Sequence, residues 1–105
     1  MPVDPSCPVC RTADVVCSKW TLLLVRELAG GATRFSELER ALTGISPRTL
    51  SLRLRLLEDE EIVARTDCDY VLTDKGLALL PIVESLRAYG EQWFVAPVAP
   101  VAAAA

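Results

Sequence analysis

The residues most able to do chemistry in this 105-residue chain are its four cysteines, set among no histidines at all. Two of them form Cys7-Pro8-Val9-Cys10 at what reads as a helix start, with Cys7 at the N-cap and Pro8 at the first helical position, where a missing N–H costs nothing. The helix dipole and free N–H groups at such an end favour a thiolate and lower the thiol pKa. Cys10 lies one turn on, so the pair suits a disulfide, or a reactive thiol with a resolving partner. Two other readings stay open. Free cysteine packs like a small hydrophobe, a role that fits Cys17 best. Cys7, Cys10, Cys17 and Cys68 could also be metal ligands, but there is no second C-x-x-C and no histidine to complete a site.

The second group is cationic. The net charge is −3, which argues against a polyanionic partner if only the sum is considered, since non-specific DNA affinity comes from phosphate neutralisation. Between Ser46 and Leu57, however, stand Arg48, Arg53 and Arg55 with no acid among them, and the acidic run Glu58 to Glu61 follows at once. Ser46 reads as an N-cap and Pro47 as the first helical residue, opening a helix whose core stripe is Leu50, Leu54 and Leu57. Its opposite face presents Arg48, Ser51, Leu52 and Arg55, with Thr49 at the edge and Ser46 and Pro47 at the entry. Arginine pairs bidentately with guanine, hydroxyls bond bases or phosphate, and an apolar group meets a thymine methyl. The alternative is a plain solvated face. Leu52 sits awkwardly with that, because a leucine amid exposed polar residues usually has something to touch.

Positioning these residues requires a helical scaffold. Val9, Ala13 and Val16 share one face of a first helix. A second helix from about Lys19 to Ala29 carries Trp20, Leu23, Leu24 and Leu28 on one side and Leu22 and Val25 on another, as a central buried helix would, and Gly30-Gly31 stops it. Phe35 to Leu42 repeats the helical pattern, Thr43-Gly44 breaks it, and the Pro47 helix follows: a helix-turn-helix. Ile62 to Thr66 and Tyr70 to Leu72 are β-prone runs around Asp67-Cys68-Asp69, a hairpin and candidate wing. Thr73 caps a last helix bearing Leu79, Ile82, Val83, Leu86, Tyr89 and Trp93 on one stripe, with Pro81 as a possible kink. The expected organisation is a lead over 1–6, one domain over 7–94 and a flexible Ala/Pro/Val tail over 95–105. The fold class is mainly α with a small β-hairpin.

Several classes are disfavoured. Without histidine, a Gly-rich phosphate loop or a nucleophile motif, no catalytic site and no cofactor is expected. No apolar run is long enough to span a membrane and no signal peptide is visible, so the expected location is cytoplasmic.

The pattern as a whole resembles the HxlR family of bacterial winged-helix regulators from Cys7 to about Trp93. The resemblance is carried by Cys7-Pro8, Lys19-Trp20-Thr21-Leu22-Leu23, Arg26-Glu27-Leu28, Arg34-Phe35-Ser36-Glu37-Leu38 and Gly44-Ile45-Ser46. It continues through Leu50, Leu54, Leu57-Glu58 and Leu72-Thr73-Asp74-Lys75-Gly76. It implies a homodimeric transcription factor on double-stranded operator DNA, an imperfect inverted repeat read by the Pro47 helix of each protomer. The terminal helices would form the dimer through Val9, Leu79, Val83, Leu86, Tyr89 and Trp93. Some HxlR-type regulators respond to oxidants or electrophiles through a cysteine matching Cys7, which implies a redox input with Cys10, or the other subunit's Cys7, resolving. Three departures stand out: the wing shrinks to an acidic Asp67-Cys68-Asp69, Glu61 replaces a usual glycine, and Cys17-Ser18 replaces a glycine pair. DNA contact is therefore expected to rest mainly on the Pro47 helix. The rival reading is a winged-helix interaction module that has lost DNA binding, favoured by the negative charge and stunted wing.

Overall fold

The computed structural model describes residues 6–94. Apart from Ser6, the expected lead and tail lie outside the described residues. Helices α1 (Pro8–Val16), α2 (Lys19–Ala29), α3 (Phe35–Ala41) and α4 (Pro47–Asp59) are followed by strands β1 (Val63–Thr66) and β2 (Asp69–Leu72), then α5 (Asp74–Leu77) and α6 (Leu80–Trp93). No helix among the described residues is long and apolar enough to cross a membrane.

Helix α2 is the hub. Thr21, Leu24, Val25 and Leu28 are buried on it, and every other helix and β2 pack around it. Its two-sided apolar pattern buries most of its surface and leaves only Lys19, Arg26 and Ala29 exposed, which is why the other elements can share one core. Leu38 and Leu42 from the α3 region, Ile45 in the turn, Leu50, Leu54 and Leu57 of α4, Ile62, Val63, Tyr70 and Val83 complete that core. The α4 leucine stripe lies inside, as its i, i+4, i+7 spacing predicts.

Two corrections concern the C-terminal part. The single helix expected after Thr73 is two: α5 ends at Leu77 and α6 begins at Leu80, with Pro81 in its first turn. Proline inside a continuous helix would lose a hydrogen bond and clash with the preceding turn, and a fresh helix start removes both costs. The apolar stripe is likewise divided. Val83 is only 7 % exposed and Leu79 packs against the core, so these two serve the protomer's own interior and not a free dimer face.

The hairpin pairs Val63 with Leu72 through Thr66 with Asp69, so the turn is Asp67-Cys68 alone and Asp69 belongs to β2. Asp67 takes φ 51°, a left-handed geometry that aspartate tolerates better than most residues. A third segment joins the sheet. The Tyr70 N–H donates to the Thr33 carbonyl at 2.7 Å, and Arg34 bridges Asp69 in antiparallel fashion. This docks the α2–α3 connection onto the hairpin.

Candidate nucleic-acid interface and thiol pair

Helix α4 is held at both ends. At its start the Ser46 Oγ accepts the Thr49 N–H at 3.1 Å, with Pro47 at the first position, so the predicted cap is present. At its end the Glu61 N–H donates to the Glu58 carbonyl and the Ile62 N–H to the Leu57 carbonyl, both at 2.9 Å. That double closure is a Schellman motif, and the Leu57–Ile62 apolar pair that accompanies such motifs is buried here. The motif requires a left-handed residue, and Glu61 supplies it at φ 63°. The resemblance read from the sequence sets Glu61 against a family glycine, and the backbone gives that expectation a physical meaning: a side chain occupies a position where glycine avoids a steric cost.

A clamp fastens this end further. Thr73 Oγ1 donates to the Glu61 and Ile62 carbonyls and accepts the Gly76 N–H at 3.1 Å. Any Cβ on Gly76 would collide with the Ile62 carbonyl oxygen. Glycine is therefore what lets α5 press against the backbone that follows α4.

With its leucine stripe buried, α4 turns Ser46, Pro47, Arg48, Ser51, Leu52 and Arg55 outward, all exposed, with Thr49 half-buried at the edge. Leu52 is 52 % exposed. Arg53 lies on the flank, half-buried, its Nε out of water and without a hydrogen-bond partner. It is not part of the outward face.

A groove that no sequence pattern signals lies beside that face. Arg34, Phe35, Ser36, Ser51, Arg65, Cys68 and Tyr70 line it, bringing α3, α4 and the hairpin together. Arg65 lies in a strand and Arg34 just before a helix, so neither has a periodic neighbour that would have drawn attention to it. The α3 start is ordered by Glu37, whose carboxylate accepts the Thr33 and Arg34 N–H groups at 2.9 and 3.0 Å. Those backbone bonds hold its pKa below the ordinary glutamate value, with nearby Arg34 and Arg40 adding to the effect.

Away from this surface, Cys7 caps α1 as expected: its Sγ accepts the Cys10 N–H at 3.3 Å. That backbone bond, a further one from the Cys10 thiol and a smaller contribution from the Val9 N–H lower the Cys7 pKa against the opposing effect of partial burial. The structure thus joins the two residues of the C-x-x-C, both half-buried, while Cys17 and Cys68 stand apart and exposed. All four are free thiols. Among the described residues no three acidic, cysteine or histidine side chains cluster as metal ligands.

The family model for HxlR-like helix-turn-helix proteins matches residues 15–97. The chain belongs to the HxlR-like helix-turn-helix family of transcriptional regulators. It is 40 % identical over 90 residues to YvaP of Bacillus subtilis, an uncharacterised HTH-type transcriptional regulator, covering 79 % of this chain and 83 % of YvaP. Its fold matches the crystal structure of PA1607 with a TM-score of 0.83 at 36 % identity, over 93 % of this chain and 72 % of PA1607. It also matches the quinone-bound form of the B. subtilis regulator YodB with a TM-score of 0.74 at 33 % identity, over 83 % of this chain and all of YodB. HxlR-like membership makes the hairpin a wing, with Asp67 and Cys68 at its tip.

The most exposed large apolar residues lie near the two ends of the described segment, on α1 and along the second half of α6, while Leu52, Leu56, Val71 and Leu77 between them are less exposed or no more so than Leu86. Val9 on α1 is 76 % exposed, and Leu86, Tyr89 and Trp93 form a bare stripe on α6 that Phe94 extends. Tyr89 and Phe94 rings lie 5.7 Å apart. Of the six residues expected at a dimer face, Val9, Leu86, Tyr89 and Trp93 are available for one.

Proposed function

We propose that this HxlR-like regulator is a homodimer that binds an imperfect inverted repeat, inserting one α4 per protomer into successive major grooves, and that its DNA affinity is set by the oxidation state of Cys7 and Cys10. The observation that carries the DNA reading is the α4 face itself: cations and hydroxyls outward, every apolar stripe residue inward, and both helix ends fastened. Leu52 then has a role, as an apolar group poised for a thymine methyl. The bare stripe on α6, with Val9 of α1, supports a second copy as the covering surface, since apolar patches of this kind mark association sites. A two-fold dimer presents its reading helices about one DNA turn apart, which calls for an inverted repeat.

The input rests on the thiol pair. A hydroperoxide converts the Cys7 thiolate to a sulfenic acid and leaves as an alcohol; the Cys10 thiol then displaces water, and two thiols have become one disulfide. An electrophile such as a quinone would add to the same thiolate. Oxidation removes the anion that α1's N-terminus stabilises and reshapes the helix that bears Val9. No catalytic turnover and no cofactor belongs to this reading.

Selection of bound fragments from random duplex DNA, with protein reduced and then peroxide-treated, tests it. Recovery of an inverted repeat by the reduced form is expected, with weaker binding after oxidation. Arg48→Ala and Arg55→Ala should each cost about 1–3 kcal/mol on that repeat and relax its sequence preference. If no duplex is enriched, the interaction-module reading replaces this one. If affinity is unchanged on full Cys7 oxidation, shown by intact mass, the thiol input is wrong.

A further inference from the structure

Alone among the helices of the described residues, α1 buries no residue completely. A cavity of about 210 Å³ lies between it, the end of α4 and the α5 region. The apolar wall of that cavity is entirely aliphatic, made by Val15, Val16, Ile62 and Leu79. The rest of its lining is polar: Arg11 and Thr12 from α1, Glu60 at the C-cap of α4 and Lys75 from α5. Two cations and one carboxylate thus line one small space, and none of the three enters an ion pair of the described residues.

This charge arrangement selects among ligands. A lone anion would meet Glu60 and the negative end of the α4 dipole, with Asp59, Glu61 and Asp74 next to the lining residues in the chain. A lone cation would meet Arg11 and Lys75. A molecule that carries both charges and no net charge avoids both repulsions, with its carboxylate toward the two cations and its ammonium toward Glu60. Hydrogen bonds between charged groups are the strong ones. The aliphatic wall fits an aliphatic body, and the volume is below the roughly 300–1,000 Å³ of sites for drug-sized ligands, which limits the occupant to about one amino acid.

We propose that this cavity binds a free aliphatic α-amino acid, its carboxylate held by Arg11 and Lys75, its ammonium by Glu60 and its side chain by the Val15, Val16, Ile62 and Leu79 wall. The bound ligand gives α1 the burial that its own residues lack and ties the helix of the thiol pair to the end of the outward-facing α4. It is an input separate from thiol chemistry. Binding itself does not depend on the DNA or thiol readings above; only its consequence for them does.

The test is isothermal titration of the reduced full chain with L-leucine as the probe, beside three molecules that each lack one feature: 4-methylpentanoate without the ammonium, 3-methylbutylamine without the carboxylate, and glycine without the aliphatic body. Leucine should bind once per protomer and each of the others at least about ten-fold more weakly. Arg11, Glu60 and Lys75 are all exposed, so their substitution leaves the fold intact. Arg11→Gln and Lys75→Gln should each weaken leucine about five-fold. Glu60→Gln should weaken leucine to a similar extent yet tighten 4-methylpentanoate, because it removes a partner for the ammonium and a repulsion for the carboxylate. Thr12→Trp, a change at another exposed lining position, should fill the cavity and abolish binding. Leucine should also slow iodoacetamide labelling of Cys7 and Cys10 about three-fold, followed by peptide mass, and leave Cys68 on the hairpin unchanged, since pinning α1 suppresses its local opening.

Absence of leucine binding overturns the proposal. Binding of 4-methylpentanoate or 3-methylbutylamine as tight as that of leucine overturns the zwitterion assignment, and parent-like binding by Thr12→Trp or by both Arg11→Gln and Lys75→Gln places the ligand elsewhere and overturns the site. Unchanged labelling of Cys7 and Cys10 at saturating leucine removes the hold on α1. If the random-duplex selection enriches nothing while leucine still binds as described, the DNA reading falls and this site stands.

Discussion

Helices α4 and α6 are close in length and both amphipathic, yet they finish in opposite conditions. The α4 stripe of Leu50, Leu54 and Leu57 is buried, its ends are closed by Ser46 and by the Leu57–Ile62 Schellman turn, and its outward face mixes Arg48 and Arg55 with Ser51 and two isolated leucines, Leu52 and Leu56. Helix α6 buries Val83 near its start and then leaves Leu86, Tyr89 and Trp93 bare. A helix completed within the protomer can present polar chemistry to a ligand in a fixed pose; one left apolar along its second half offers the association surface proposed above. Under the proposed function the contrast is between a reading element and an assembling one.

The largest effect should come from loosening the completed end. Gly76→Ala places a methyl against the Ile62 carbonyl, a backbone atom that cannot rotate away, so α5 must shift and about 3 kcal/mol of stability should be lost. Urea denaturation measures this. A loss under half a kilocalorie would mean that the α5 clamp does not hold the α4 end. Next in size, Trp93→Ala on the bare helix should raise the dimer dissociation constant by roughly 30-fold, near 2 kcal/mol, while leaving the melting of the monomer fold little changed. Analytical ultracentrifugation across a dilution series reads it, and a variant as dimeric as the parent would remove α6 from the interface.

Glu61→Gly sharpens the comparison in the other direction. The Schellman turn already exists, but a side chain stands at φ 63°, so glycine should stabilise the protein by about 0.5–1 kcal/mol after its own entropy cost. An unchanged denaturation midpoint would show that Glu61 makes a compensating contact. The smallest effect belongs to Glu37, whose folded pKa lies below the ordinary value. A depressed carboxylate contributes stability above its unfolded pKa and loses it as pH falls through the folded one. Thermal melts from about pH 6 to 3 should therefore fall less steeply for Glu37→Gln than for the parent. Parallel curves would mean that the Thr33 and Arg34 bonds to Glu37 do not order the start of α3.

Much of this was legible in the residues themselves. Apolar periodicity located α1 to α4, proline and glycine marked their ends, and the leucines of α4 predicted its outward face, because a 3.6-residue period links burial on one side to exposure on the other. The Cys7 cap was equally readable, since an N-cap is a local matter of four residues. The family resemblance set Glu61 against a glycine but gave no physical reason for it; only the backbone shows the left-handed position.

What the sequence could not determine was how one stripe is shared among neighbours. Val83, Leu86 and Trp93 follow a single helical pattern, and only the placement of α2 decides that the first is buried and the others are bare. Pro81 allowed either a kink or a new helix, and packing after Leu77 selected the latter. The Arg34–Arg65 groove is the clearest case. Its lining residues come from three segments 14 or more positions apart in the chain, brought together by the Tyr70–Thr33 hydrogen bond and the Arg34–Asp69 bridge. Local pattern encodes elements and the faces they offer, whereas a groove between elements exists only once long-range contacts have set their distances.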